Sequence, residues 1–153
     1  MFSELNKILQ NDGVIAFVTD TVWGIGCLPT SEKAVQRIYE IKKRESKKPL
    51  ILMSYDTYPL LDYVKQPIEK QGQMLIKKYF PGALTLVLEK SEQTPDYITS
   101  NMNTVGIRVT DNETFARICK NNERQTPQAE PCFGQSRQAI YPNKYESLFP
   151  LLS

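Results

Sequence analysis

The sequence predicts an α/β fold, a sheet covered by helices in a chain the size of one domain. Short apolar runs suited to buried strands alternate with segments whose apolar residues recur at helical spacing. Glycine, proline and hydroxyl residues mark the transitions between them. The composition, 41% hydrophobic and 24% charged over 153 residues, is ordinary for a folded domain.

Phe2, Leu5, Ile8 and Leu9 share one helical face behind Ser3, a fitting N-cap, and Gly13 is placed to end that helix. Val14–Val18 reads as a buried strand, and Thr19–Pro29, with Gly24 and Gly26, as a loop. Ser31 caps a second helix with Ala34, Val35, Ile38 and Ile41 on its apolar face. A basic run, residues 42–48, leads through Pro49 into a strand over Leu50–Met53. Helical patterns follow at Tyr58–Val64 and Ile68–Tyr79, the latter with Pro67 in its first turn. Pro81 and Gly82 form a turn before a strand over Ala83–Leu88. Thr104–Val109 is the next strand, and Asp111 caps a helix containing Phe115 and Ile118.

Charge and residue usage exclude several chemistries. A net charge of +2 announces no global nucleic-acid footprint, so any basic site must be local. There is no histidine, which removes a Ser-His-Asp triad, a His-assisted cysteine and any His-ligated metal. Cys27, Cys119 and Cys132 are too widely spaced for a zinc site or a disulfide framework, so no metal site is expected and a reducing compartment suits them. No basic-then-apolar leader or membrane-length run is present, which predicts a cytoplasmic protein without a membrane partner.

Three constellations carry chemistry. Thr19-Asp-Thr-Val-Trp-Gly-Ile-Gly26 follows a strand end, where α/β sheets place ligands; its hydroxyls and glycines suit a small polar substrate or a solvated turn. Dinucleotide and P-loop fingerprints both fail there, because Pro29 stands where a glycine is needed and no Gly-Lys-Ser/Thr follows. Lys42, Lys43, Arg44, Lys47 and Lys48 suit a polyphosphate or an RNA backbone, and equally the C-terminal dipole of a helix. Lys42 and Arg44 face one way only if the helix ends near Lys42–Lys43 and the chain becomes extended. Thr85 and Arg108 interrupt strands that otherwise read as core. The arginine there is either buried against an anion or placed at a sheet edge or surface.

In this order the segments resemble the YrdC/Sua5 (TsaC) family of threonylcarbamoyl-adenylate synthases. Thr19–Gly26 is similar to the family's Thr-Asp/Glu-Thr-Val-Tyr-Gly-Leu-Gly loop, and Ile38–Arg44 followed by Lys48-Pro-Leu50 to its Lys-x-Arg segment. Phe80-Pro-Gly-Ala-Leu-Thr85 resembles its Pro-Gly-Pro-x-Thr turn, and Gly106-Ile-Arg-Val109 its following strand. Each motif alone is weak, and the four in order are specific. The resemblance implies a twisted open sheet with helices packed around it and a positively lined cleft. It implies that threonine, bicarbonate and ATP, with Mg²⁺, yield threonylcarbamoyl-adenylate and pyrophosphate, which makes the chain a nucleotidyltransferase serving tRNA threonylcarbamoyladenosine modification. Lys42, Arg44 and Thr85 would then bind ATP, and Thr21 and Arg108 would bind threonine, with no catalytic residue assigned. Implied partners are tRNA or other double-stranded RNA and the downstream threonylcarbamoyl-transfer proteins.

The resemblance covers residues 1–120 and then stops. Val18, Trp23, Glu45 and Lys48 are small departures from the family pattern. Past Lys120 the family's strand with Ser/Thr-Ala-Asn is absent, so the domain reads as incomplete at its C-terminal part and its activity as impaired. Losing two or three ligand hydrogen bonds weakens binding roughly ten- to a thousand-fold. The other reading is a non-catalytic module that binds double-stranded RNA, tRNA or a nucleotide. Residues 121–153 contain no valine, against eight in residues 1–120, and collect Gln and Pro, which reads as a divergent, loosely structured tail. Ordinary drift keeps apolar spacing because a core still has to pack. The abrupt break therefore predicts a change of reading frame shortly after the Lys120 codon. Translating the two other frames downstream tests it: a Ser/Thr-Ala-Asn strand in one of them is expected, and its absence from both overturns the prediction.

Overall fold

The computed structural model describes residues 1–19, 23–43, 48–125 and 133–134. Helix α1 (Phe2–Gln10) starts one residue before Ser3, with Met1 as N-cap and no side-chain cap bond. It ends at Asn11, and the chain turns through Asp12 at φ 57°. Gly13 follows, where a Cβ would lie 2.3 Å from the Ile8 side chain, so only a bare α-carbon passes. Strand β1 (Ile15–Val18) then pairs antiparallel with β2 (Trp23–Gly26), from Ile15–Gly26 to Val18–Trp23.

The β2 strand corrects the loop reading of this segment. Gly24 is no breaker here, because its missing side chain makes room for the Phe17 ring, 3.2 Å from where a Cβ would stand. Ser31 caps α2 (Glu32–Ile41) as expected, its Oγ accepting the Ala34 N–H at 3.1 Å. Ala34, Val35 and Ile38 are buried, whereas Ile41 is 55% exposed at the helix end. Strand β3 (Ile51–Ser54) follows.

Tyr58–Tyr63 forms a 3-10 helix rather than an α-helix, with Pro59 near its start. Helix α3 (Lys70–Tyr79) begins beyond Pro67, with Glu69 as its N-cap. Strand β4 (Leu86–Glu89) is shorter than its apolar run. The short helix α4 (Asp96–Thr99) has no apolar period to announce it. Strand β5 spans Thr104–Val109, as expected. Asn112, not Asp111, caps α5 (Glu113–Gln125), its Oδ1 accepting the Phe115 N–H at 3.0 Å. Helix α5 continues past Lys120, and Phe133–Gly134 forms a two-residue strand, β6, in the stretch read as patternless. A two-residue ladder needs main-chain bonds rather than apolar periodicity. The rest of the expected loose tail lies outside the described residues.

The main sheet is mixed and open, in the order β4-β5-β3-β6. The β3–β5 pair is parallel, and β4–β5 and β3–β6 are antiparallel. Successive side chains alternate between its faces. Leu52, Leu86, Val105, Ile107 and Val109 pack against α2, the 3-10 helix, α3 and α4. Met53 and Ile51 turn the other way, toward Leu9 of α1, Ile15 and Phe17 of β1, and Phe115 and Ile118 of α5. The Phe17 and Phe115 rings meet there with centroids 4.9 Å apart. Helices thus cover both faces, the architecture the alternation of elements predicts. Among the described residues no helix is long and apolar enough to cross a membrane.

Helix α4 is tied to the start of α2 by Tyr97, whose hydroxyl donates to the Pro29 carbonyl at 2.5 Å. Burial, then the nearby Glu32 and Cys27, push the Tyr97 hydroxyl above its ordinary value of 10.0. The folded state therefore keeps a proton that the unfolded chain has already released. The stabilisation is full below the ordinary tyrosine value and is lost as pH rises through the raised one. Urea midpoints measured from pH 9 to 11, values of about the tyrosine range, should fall more steeply for the wild type than for Tyr97→Phe. Equal slopes would show that Tyr97 carries no such linkage.

Candidate ligand site on the β4–β5 face

Arg108 lies in β5, which is bonded to β4 on one side and β3 on the other. It is only 2% exposed, which overturns the edge or surface alternative for this arginine. Strand order decides the matter, and strand order is not written in one sequence. Arg108 pairs with Met53 across the parallel ladder. The antiparallel register ends at Leu86–Ile107, so Thr85 and Arg108 are the next residues to face each other. Alternation puts Thr85, Arg108 and Met53 on the face opposite Leu86, Ile107 and Leu52.

Thr85 sits one residue before β4 rather than within it and is 1% exposed. Its Oγ1 has no hydrogen-bond partner among the described residues. A buried hydroxyl left in that state costs about 1–3 kcal/mol, a penalty that a bound polar group removes. The Thr85 methyl is turned toward Gly106, 3.5 Å from where a Cβ would stand. On the other side of Gly106, Ile51 Cγ2 would be only 2.8 Å from that Cβ. Gly106 thus keeps the sheet face low between Ile51 and Thr85, two residues from Arg108. In the sequence Gly106 stands only within the Gly106-Ile-Arg-Val109 motif. The signal that marks it is a glycine inside an otherwise apolar strand.

Of the residues read as phosphate contacts, Lys42 is half-buried and forms the C-cap of α2. The helix ends where expected, but by a different device. Lys43 takes a left-handed conformation at φ 48°, its N–H donating to the Glu40 carbonyl at 3.1 Å. That conformation costs a non-glycine residue about 1–2 kcal/mol, so surrounding structure must hold it. The chain then returns through Lys48, whose carbonyl accepts the Tyr39 hydroxyl at 2.9 Å. Arg44 and Thr21 lie outside the described residues. The structure therefore brings Thr85 and Arg108 together and places Lys42 at the end of α2. Among the described residues no cluster of three or more Asp, Glu, Cys or His side chains could hold a metal ion.

The Sua5_yciO_yrdC family model, described as telomere recombination, matches residues 7–130. The threonylcarbamoyl-AMP synthase of Pyrococcus abyssi is 38% identical over 116 residues, 76% of this chain and 34% of its own length. That of Enterobacter sp. is 34% identical over 114 residues, 74% of this chain and 60% of its own. The chain thus spans between 34% and 60% of the length of these two relatives. The crystal structure of P. abyssi Sua5 complexed with L-threonine matches with a TM-score of 0.79 at 32% identity, covering 88% of this chain and 38% of that one. Escherichia coli YciO shares the fold at a TM-score of 0.75 and 24% identity, over 88% of this chain and 62% of that one. By sequence and by fold, the chain belongs to the Sua5/YciO/YrdC family.

Proposed function

We propose that this chain is a threonylcarbamoyl-adenylate synthase domain that binds L-threonine and ATP on the β4–β5 face. The observation that carries the reading is the pairing of a buried arginine with a buried, unsatisfied threonine hydroxyl beside a glycine gap. The P. abyssi relative crystallised with L-threonine supports threonine as the small substrate. In this reading Arg108 pairs with the threonine carboxylate by charge-assisted hydrogen bonds, with Thr21 as a further contact. Thr85 lines the adjoining nucleotide site, and Lys42 and Arg44 hold the ATP phosphates. Mg²⁺ would supply further charge neutralisation at the phosphates that Lys42 and Arg44 hold.

The chemistry needs no histidine base. The threonine amine and bicarbonate give a carbamate with loss of water, and a carbamate oxygen then attacks the α-phosphorus of ATP while pyrophosphate leaves. A carbamate oxygen is already anionic, so the protein's work is positioning and charge stabilisation. Adjacent threonine and nucleotide subsites meet the first need, and cations near the phosphates meet the second. The missing Ser/Thr-Ala-Asn group lowers affinity for both ligands and so limits turnover. That absence also favours the second reading, a module that retains nucleotide, tRNA or double-stranded RNA binding without catalysis. In the first reading the product serves tRNA modification in the cytoplasm through downstream transfer proteins.

Calorimetry with separate ligands tests these assignments. Arg108→Ala should abolish measurable threonine binding while leaving ATP binding within a few-fold. Lys42→Ala or Arg44→Ala should weaken ATP roughly ten- to a hundred-fold, as loss of one charge-assisted contact requires. Threonine binding that survives Arg108→Ala, or ATP binding unchanged in both cation variants, would sink the assignment. Pyrophosphate release that requires threonine, bicarbonate and ATP together selects the synthase over the binding module, and RNA binding without it selects the module.

A further inference from the structure

A second concavity lies beside β4, at the end of the strand away from Thr85. Its volume is about 450 Å³, within the range of small-molecule sites. Val64, Pro67, Ile68 and Leu88 give it apolar walls, and Gly72 lets α3 approach β4 closely. A Cβ on Gly72 would stand 2.9 Å from Ile68 and 3.2 Å from Leu88.

Gln66 and Thr104 also line it, and main chain of β4 adds to its polar surface. Lys90 N–H donates to the Asn103 carbonyl at 2.9 Å, toward β5, and antiparallel pairs alternate, so the N–H and C=O of Leu88 and Leu86 turn the same way. Those of Val87 and Glu89 must then point outward. The Glu89 carbonyl confirms it by accepting the Lys65 N–H at 2.9 Å. The chain itself begins a covering strand here, with the Val64–Lys90 bridge and the Ser91 N–H on the Tyr63 carbonyl at 3.0 Å. It then leaves the edge at Gln66. Val87, half-buried, is left with an outward donor and acceptor side by side, bonded to none of the described residues.

We propose that this cavity is a binding site for a compact, uncharged cyclic amide or nucleobase-like ring. Such a ring presents an acceptor next to a donor and meets the Val87 N–H and C=O together. Charge argues against an anionic ligand, because Glu69 and Glu89 stand at the rim and the Lys65 ammonium is already paired with Glu89 at 2.6 Å. Apolar walls with a few polar groups among them are the usual composition of such sites.

Titration of the ¹⁵N-labelled chain with 2-pyridone, uracil and adenine tests the proposal. Saturable shifts are expected at the Val87, Glu89 and Gly72 amides, unchanged by excess L-threonine. Val87→Pro removes the outward donor without touching the β4–β5 ladder, and should weaken binding about tenfold. If that variant loses its dispersed spectrum, the wild-type shift map alone decides. Absence of saturable shifts with all three probes, shifts centred on Arg108 instead, or full affinity in a folded Val87→Pro protein would overturn it.

Discussion

Burying a guanidinium in a central strand sets terms that the rest of the sheet has to meet. Removing such a charge from water costs several kcal/mol unless geometry and hydrogen bonding compensate. The face around Arg108 therefore combines apolar packing at Met53 and Ile51 with polar groups. It carries Gly106 two residues away, Thr85 opposite and the hairpin β1–β2 on its side of the sheet. The other face, with Ile107, Val105, Val109, Leu86 and Leu52, is apolar and fully covered by helices. One side of β5 holds the strand in place, while the other carries the buried Arg108 beside Thr85 and Gly106.

That division explains which parts could be read from the chain alone. The extent of β5 was legible because Val105, Ile107 and Val109 recur at every second residue along it, the period of a strand. Arg108 and Thr85 were legible as polar interruptions in such strands, but the burial of Arg108 was not, since it depends on β5 having neighbours on both sides. The β2 strand was hidden because Gly24 and Gly26 carry turn chemistry in a local reading. Only the ring of Phe17, brought over by the hairpin, shows why a glycine belongs there. Caps followed the same logic. Ser31 was found because its helix begins cleanly, whereas Asp111 and Asn112 both qualify by type and only backbone geometry chooses between them.

The end of α2 shows how local strain and charge meet. Sequence could place the stop near Lys42–Lys43, since Pro49 and a strand follow. It could not show that Lys43 would occupy a left-handed position more usual for glycine. A lysine kept there costs stability that a glycine would not, as Asp12, Ser100 and Asn101 do at their own positive φ angles. A cation next to the helix C-terminus also answers the dipole, so the two explanations of the basic run are compatible.

The C-terminal stretch bears on how much of a synthase site the chain holds. Phe133 and Gly134 pair with Leu52 and Ile51, so β3 has a neighbour on its outer side at that end. Main-chain pairing of this kind protects a sheet edge but brings no particular side chain to a ligand. The Ser/Thr-Ala-Asn group supplies hydroxyl and amide contacts in the family pattern, and a two-residue strand ending in glycine cannot replace them. The proposed threonine subsite rests mainly on Arg108, whose ionic contact is worth about 1.5–3 kcal/mol, more than any single neutral bond that is missing. The proposed nucleotide subsite draws on charge-assisted contacts of the same kind, those of Lys42 and Arg44. On that proposal both subsites rest on charged side chains, and loss of the motif takes neutral contacts from each.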